Sequence, residues 1–180
     1  MKRYVALLRG INVGKAKRVP MADLRALMEA LGHAGVRTLL NSGNAVFDAQ
    51  DGSAASHATR LKAAIRERTG VDCEVIVKTA ADLAAAIAEH PLRSHADDDA
   101  RLLVMFVQDA SSLAPLKPLE DADWAPEAFA VGAHAAWLWC AGGVIESRVS
   151  KAVGKLLKDK GTARNWATVQ KLQAMAASDA

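Results

Sequence analysis

The chain has 180 residues, 51% of them hydrophobic, with 23 basic against 20 acidic side chains and a formal net charge of +3. That is enough apolar surface to bury a core without disulfides or a structural metal, and Cys73 and Cys140, far apart and outside any CxxC or Cys/His cluster, are expected to be buried thiols. No stretch approaches the roughly 18 apolar residues of a spanning helix, and the apolar run after Lys2 and Arg3 breaks at Arg9 without a cleavage site, so a cytoplasmic protein with no membrane partner is expected.

In chain order, Arg3 to Arg9 (RYVALLR) is apolar on both alternating faces, which predicts a central strand covered on both sides. A glycine-containing loop from Gly10 to Val19 leads to Pro20 at a helix start, and Met21, Leu24, Leu27, Met28 and Leu31 recur at helical spacing before Gly32 ends the helix. A second strand, Val36 to Leu40, meets turn chemistry in Asn41, Ser42, Gly43 and Asn44, and a third runs from Ala45 to Asp48, forming a hairpin. Ser53 caps a helix whose Leu61, Ala64 and Ile65 face inward until Gly70. Cys73, Val75 and Val77 then alternate with polar residues as an edge strand should. The order through Lys78 is βαββαβ, the split βαβ arrangement of ferredoxin-like folds.

A second α+β half, residues 79–180, follows, and it is expected to pack with residues 1–78 as one compact unit. Thr79 and Asp82 suggest a capping box for a helix through Leu83 and Ile87, stopped by Pro91. After a polar loop at His95 to Asp99, Leu102 to Val107 (LLVMFV) is a buried strand, followed by a short Pro-interrupted helix near Leu113 to Leu119. Two strands, Ala128 to Val131 and Ala135 to Cys140, turn at Gly132, and Trp137 and Trp139 share one face of the second, where packing is expected. Two C-terminal helices close the chain, one marked by Val149, Val153, Leu156 and Leu157, the other by Trp166, Val169 and Leu172. Thr162 is a plausible N-cap for the last, which would put Arg164 and Asn165 in a first turn whose free amides and dipole favour an anion.

The motif tests are mostly negative. Gly10-Ile11-Asn12-Val13-Gly14-Lys15 sits between strand and helix as a phosphate loop does. It has three residues between its glycines where the P-loop has four, however, and Ala16 has no hydroxyl for magnesium. No GxGxxG dinucleotide fingerprint is present. His33, His57, His90, His95 and His134 show no HExxH or HxH spacing and fall mainly at helix ends, turns and exposed helix positions, so no metal site follows. Asp97 to Asp99 lack the glycine turn and distal glutamate of a calcium loop. Ser42 lacks a GxSxG elbow and is expected to serve the hairpin turn. No catalytic residue is assigned, and no cofactor is expected.

Topology supplies a candidate site. In a split βαβ unit the first two strands run parallel and the third returns between them, so the first loop and the hairpin share one end of the sheet. Arg9, Gly10 and Asn12 should then lie near Ser42, Gly43 and Asn44, placing donors, acceptors and a guanidinium around glycines that permit close approach. The plainer alternative is that Asn12 and Asn44 simply bond the two loops together. Both ends of the chain are basic: six basic residues and no acid lie between Met1 and Pro20, and seven basics against Asp159 alone lie between Arg148 and Lys171. If the two ends meet they form one positive surface able to attract an anion, and otherwise they are separate solvated faces.

At these residues the chain resembles a known family. Tyr4 to Gly14 (YVALLRGINVG), Asn41 to Asn44 (NSGN) and Thr162 to Leu172 (TARNWATVQKL) are similar to the LLRGINVGG, QSGNVVF and TxRNWxTVxKL patterns of DUF1697, a family of unknown function. The departures are Lys15 in place of a glycine and Asn41 in place of glutamine. The resemblance implies a small bacterial α+β protein with ferredoxin-like halves, and it imports no activity.

Three function classes stay open. In the leading one a small anionic or polar ligand is held by a cradle drawn from Arg9, Gly10, Asn12, Ser42, Asn44, Arg164, Asn165 and Lys171. Nucleic-acid binding through the basic ends is less favoured, because the third strand lacks the aromatic RNA-binding pattern and the sheet is expected to be covered on both faces. A protein-interaction or oligomerisation module is the third.

Overall fold

The computed structural model describes residues 1–95 and 97–178; Ala96, in the polar loop expected at His95 to Asp99, and Asp179 and Ala180 lie outside them. The fold is α+β and contains two antiparallel four-stranded sheets. The chain divides into two units, Met1–Ala81 with the segment from Leu172 onward, and Asp82–Lys171. The boundary follows Ala81 rather than Lys78, and the end of the last helix is grouped with the first unit.

In the first unit β1 (Lys2–Leu8), α1 (Met21–Ala30), β2 (Ala34–Leu39), β3 (Asn44–Ala49), α2 (Ala54–Thr69) and β4 (Val75–Thr79) form the expected βαββαβ unit. The sheet order β2-β3-β1-β4 puts β1 in the interior and β4 at an edge. Tyr4, Ala6 and Leu8 face α1 and α2, packing with Leu24, Met28, Phe47, Leu61 and Ile65 in one apolar core. Val5, Leu7, Val46 and Ile76, on the other face, are buried too. Arg3 and Arg37 share that second face by the two-residue period of a strand. Their guanidinium groups donate to the carbonyls of Ala176 and Met175 near the end of the last helix, which ties that segment to this unit. Local signals act as expected in α2: Ser53 accepts from the backbone amide of Ser56 in a reciprocal capping box, and Gly70 ends the helix in the left-handed region.

The second unit contains β5 (Leu102–Val107), a 3-10 helix (Ala110–Asp121), β6 (Ala128–Val131), β7 (Ala136–Trp139), α4 (Arg148–Leu157) and β8 (Gly161–Asn165), preceded by α3 (Ala80–Glu89) and followed by α5 (Trp166–Ala177). Its sheet order, β6-β7-β5-β8, repeats the topology of the first, with β5 in the place of β1 and the 3-10 helix in the place of α1. Pro115 and Pro118 keep that segment from continuous α-helical bonding. Leu103, Met105, Val107, Leu113, Leu138, Val149 and Val153 form its core. The other face carries Trp137 stacked on His90 at 4.7 Å, with Trp166 beside both rings. Contrary to the expectation from sequence, Thr162 does not cap the last helix but lies in β8, opposite Phe106. The cap is Asn165, whose Oδ1 accepts from the amide of Thr168. Five residues with modest strand propensity pair with β5 because an edge beside a fully apolar strand was open to them.

Candidate functional site

The end of the first sheet where β1 and β2 finish and β3 begins does bring the glycine loop and the hairpin together. Leu7 and Leu39 both stand opposite Asn44 in the sheet register, and the amide of Leu8 donates to the carbonyl of Gly43 at 2.8 Å. Gly43, at φ 84, has no room for a side chain: a Cβ would fall 2.7 Å from that of Leu8 and 2.8 Å from Cδ1 of Ile11. Ile11 and Val19 are buried in the core and pin the loop at both ends.

Asn12 is the clamp. Its Nδ2 donates to the carbonyls of Val19 at 2.8 Å and Asn41 at 2.7 Å, and its Oδ1 accepts from the amide of Val19 at 2.8 Å. Its backbone sits at φ 55, a left-handed conformation that asparagine tolerates better than most side chains. Asn44 is fully buried and donates to the carbonyl of Leu39 and the hydroxyl of Ser42. The two asparagines thus use their amides within the loops, and Ser42 serves the turn. Val13, Lys15, Lys17 and Arg18, between the anchors, are exposed, while Arg9 is half-buried with its amide bonded to the carbonyl of Glu74.

The remaining candidates belong to the second unit. Arg164 is buried on β8, where its guanidinium donates to the hydroxyl of Thr162 and the carbonyl of Ala163, each at 2.8 Å. Burial lowers its pKa to about 10, so it stays a cation at neutral pH. Asn165 is committed to capping α5, and Lys171 is exposed on that helix. Neither Arg164 nor Asn165 occupies the free first turn anticipated for them.

Sequence reasoning missed a pair of histidines. His33, after α1, and His57, in α2, are both buried, and His33 Nε2 lies 3.1 Å from His57 Nδ1. The rings of Tyr4 and Phe47 enclose the pair. Burial first, then the neighbouring His57 and Arg60, lowers the His33 pKa to about 4, against a smaller opposing effect of the Met28 carbonyl. Burial and then Arg60 also lower His57. A 24-residue separation gives no spacing motif; the only available signal was that each falls where a helix meets the core. His90 is buried as well; it and His33 stand at helix ends as expected, whereas His57, within α2, is buried rather than exposed. Among the described residues no group of three or more His, Cys, Asp or Glu side chains could hold a metal ion, and no helix is long and apolar enough to cross a membrane.

The loop and hairpin just described coincide with the most distinctive stretches of sequence, and a family model described as a protein of unknown function, DUF1697, matches residues 1–137. The chain belongs to this family. The match ends before Thr162, so the C-terminal part of the resemblance lies outside it. No curated protein matches the chain. Among solved structures, the conserved bacterial protein SP0830 from Streptococcus pneumoniae is similar, with a TM-score of 0.80 and 24% identity over 97% of this chain and 98% of that one. At that identity the likeness speaks for the fold.

Proposed function

We propose that this DUF1697 protein binds a phosphate-bearing anion at the open end of its first sheet, with Arg9, Lys15, Lys17 and Arg18 as the attracting charges. The observation that carries the reading is the Asn12 clamp, which fixes a loop with four exposed or half-exposed cations and no acid against the hairpin. Gly10 and Gly14, both at positive φ, let the backbone turn sharply within this loop. Asn12, Ser42 and Asn44 act as scaffold in this reading rather than as ligand contacts. Arg164, Asn165 and Lys171 are left out of it.

The usual sheet-face mode of RNA binding is disfavoured, because Val5, Leu7, Val46 and Ile76 on the face opposite the helices are buried and none is aromatic. Titration of the whole chain with pyrophosphate and with a nucleoside triphosphate at low salt, followed by amide chemical shifts, tests the proposal. Shifts clustered at residues 9–19, weakened by salt and lost in the Lys17→Glu/Arg18→Glu variant, are expected. Shifts elsewhere, or none, would overturn it.

A further inference from the structure

Two aliphatic side chains at this end of the first sheet are left in solvent. Val13 is 72% exposed and Leu40 is 54% exposed. Leu40 also stands at φ 57, in the left-handed region that glycine and asparagine occupy at little cost and leucine rarely adopts. A leucine there gains neither core burial nor an easy backbone. The two tips adjoin, since Asn12, just before Val13, donates to the carbonyl of Asn41, just after Leu40. Lys15, Lys17 and Arg18 are exposed on the same loop as Val13.

Resting on the anion-binding reading above, we infer that this end docks on the surface of an anionic phospholipid bilayer. Val13 and Leu40 enter the boundary between headgroups and acyl chains, and the basic side chains meet the lipid phosphates. Protruding aliphatic tips beside basic side chains suit a yielding, phosphate-bearing surface. Residues 9–20 and 40–44 contain no aromatic side chain, so the stacking platform by which loops hold nucleic-acid bases is missing. Surface docking needs no spanning helix, and it narrows the expectation of no membrane partner to bilayer crossing alone.

Co-sedimentation of the full chain with phosphatidylcholine vesicles, with and without phosphatidylglycerol, tests the inference, and pyrophosphate serves as the soluble probe. The bound fraction should rise several-fold with phosphatidylglycerol and fall with added salt. Leu40→Gly removes the tip while relieving the left-handed strain, so its melting temperature should hold or rise; combined with Val13→Ser it should weaken vesicle binding about tenfold while leaving the pyrophosphate response in place. Equal vesicle binding by the variant overturns tip insertion. Pyrophosphate shifts without vesicle binding overturn docking and leave the anion site standing. If neither probe binds, both readings fall. Tighter retention of a duplex oligonucleotide than of vesicles reassigns the surface to nucleic acid and overturns the inference.

Discussion

Acidification is expected to loosen the first unit through the His33–His57 pair. The folded-state pKa of His33 lies at about 4 against an ordinary 6.5, so between those values the unfolded chain binds the proton more readily than the folded one. Its contribution is therefore in place above pH 6.5 and is lost as pH falls toward 4. The full shift corresponds to about 3 kcal/mol, of which about 2 kcal/mol disappears between pH 7 and pH 5. His57, lowered in the same direction, adds to the loss. Arg60 contributes positive charge near both rings, and no carboxylate is among the groups that shift them, so a proton arriving there meets no counter-ion. The assay is urea denaturation across pH 7 to 4.5, for the wild type and for His33→Gln, whose side-chain amide can still donate to His57 Nδ1. The wild type should lose stability steeply over this range, and the variant should follow a flatter profile. Parallel profiles, or a wild type equally stable at pH 7 and pH 5, would refute the account.

Gly43→Ala should destabilise the chain by about 2 kcal/mol or more in urea melts, combining the clash with Leu8 and Ile11 and the left-handed backbone. Asn12→Asp keeps an acceptor for the Val19 amide but loses both donated bonds, for a cost of about 1–3 kcal/mol; trypsin should then cut faster at Lys15, Lys17 and Arg18. Burial raises the Cys73 thiol to about 11 and pushes Cys140 up as well, so neither should react with a disulfide reagent at neutral pH until the chain is unfolded.

Much of the fold was legible locally. The unbroken apolar strand at Tyr4 to Leu8, the helical spacing of Leu24, Leu27 and Met28, the cap at Ser53 and the turn chemistry at Asn41 to Asn44 each speak through neighbours in sequence, and together they determined the βαββαβ order of the first unit. From that order alone the meeting of the first loop with the hairpin followed. Tertiary structure decided what depends on distant partners. It made β8 a strand, because pairing with β5 outweighed the local cap signal at Thr162. It decided where the two asparagine amides go: that of Asn12 crosses to the hairpin at the Asn41 carbonyl, while that of Asn44 stays within its own hairpin. It joined His33 to His57, which no spacing rule connects. Turns, caps and hydrophobic period are set within a few residues, whereas the partner of a buried polar group is set by whichever elements the packing brings against it.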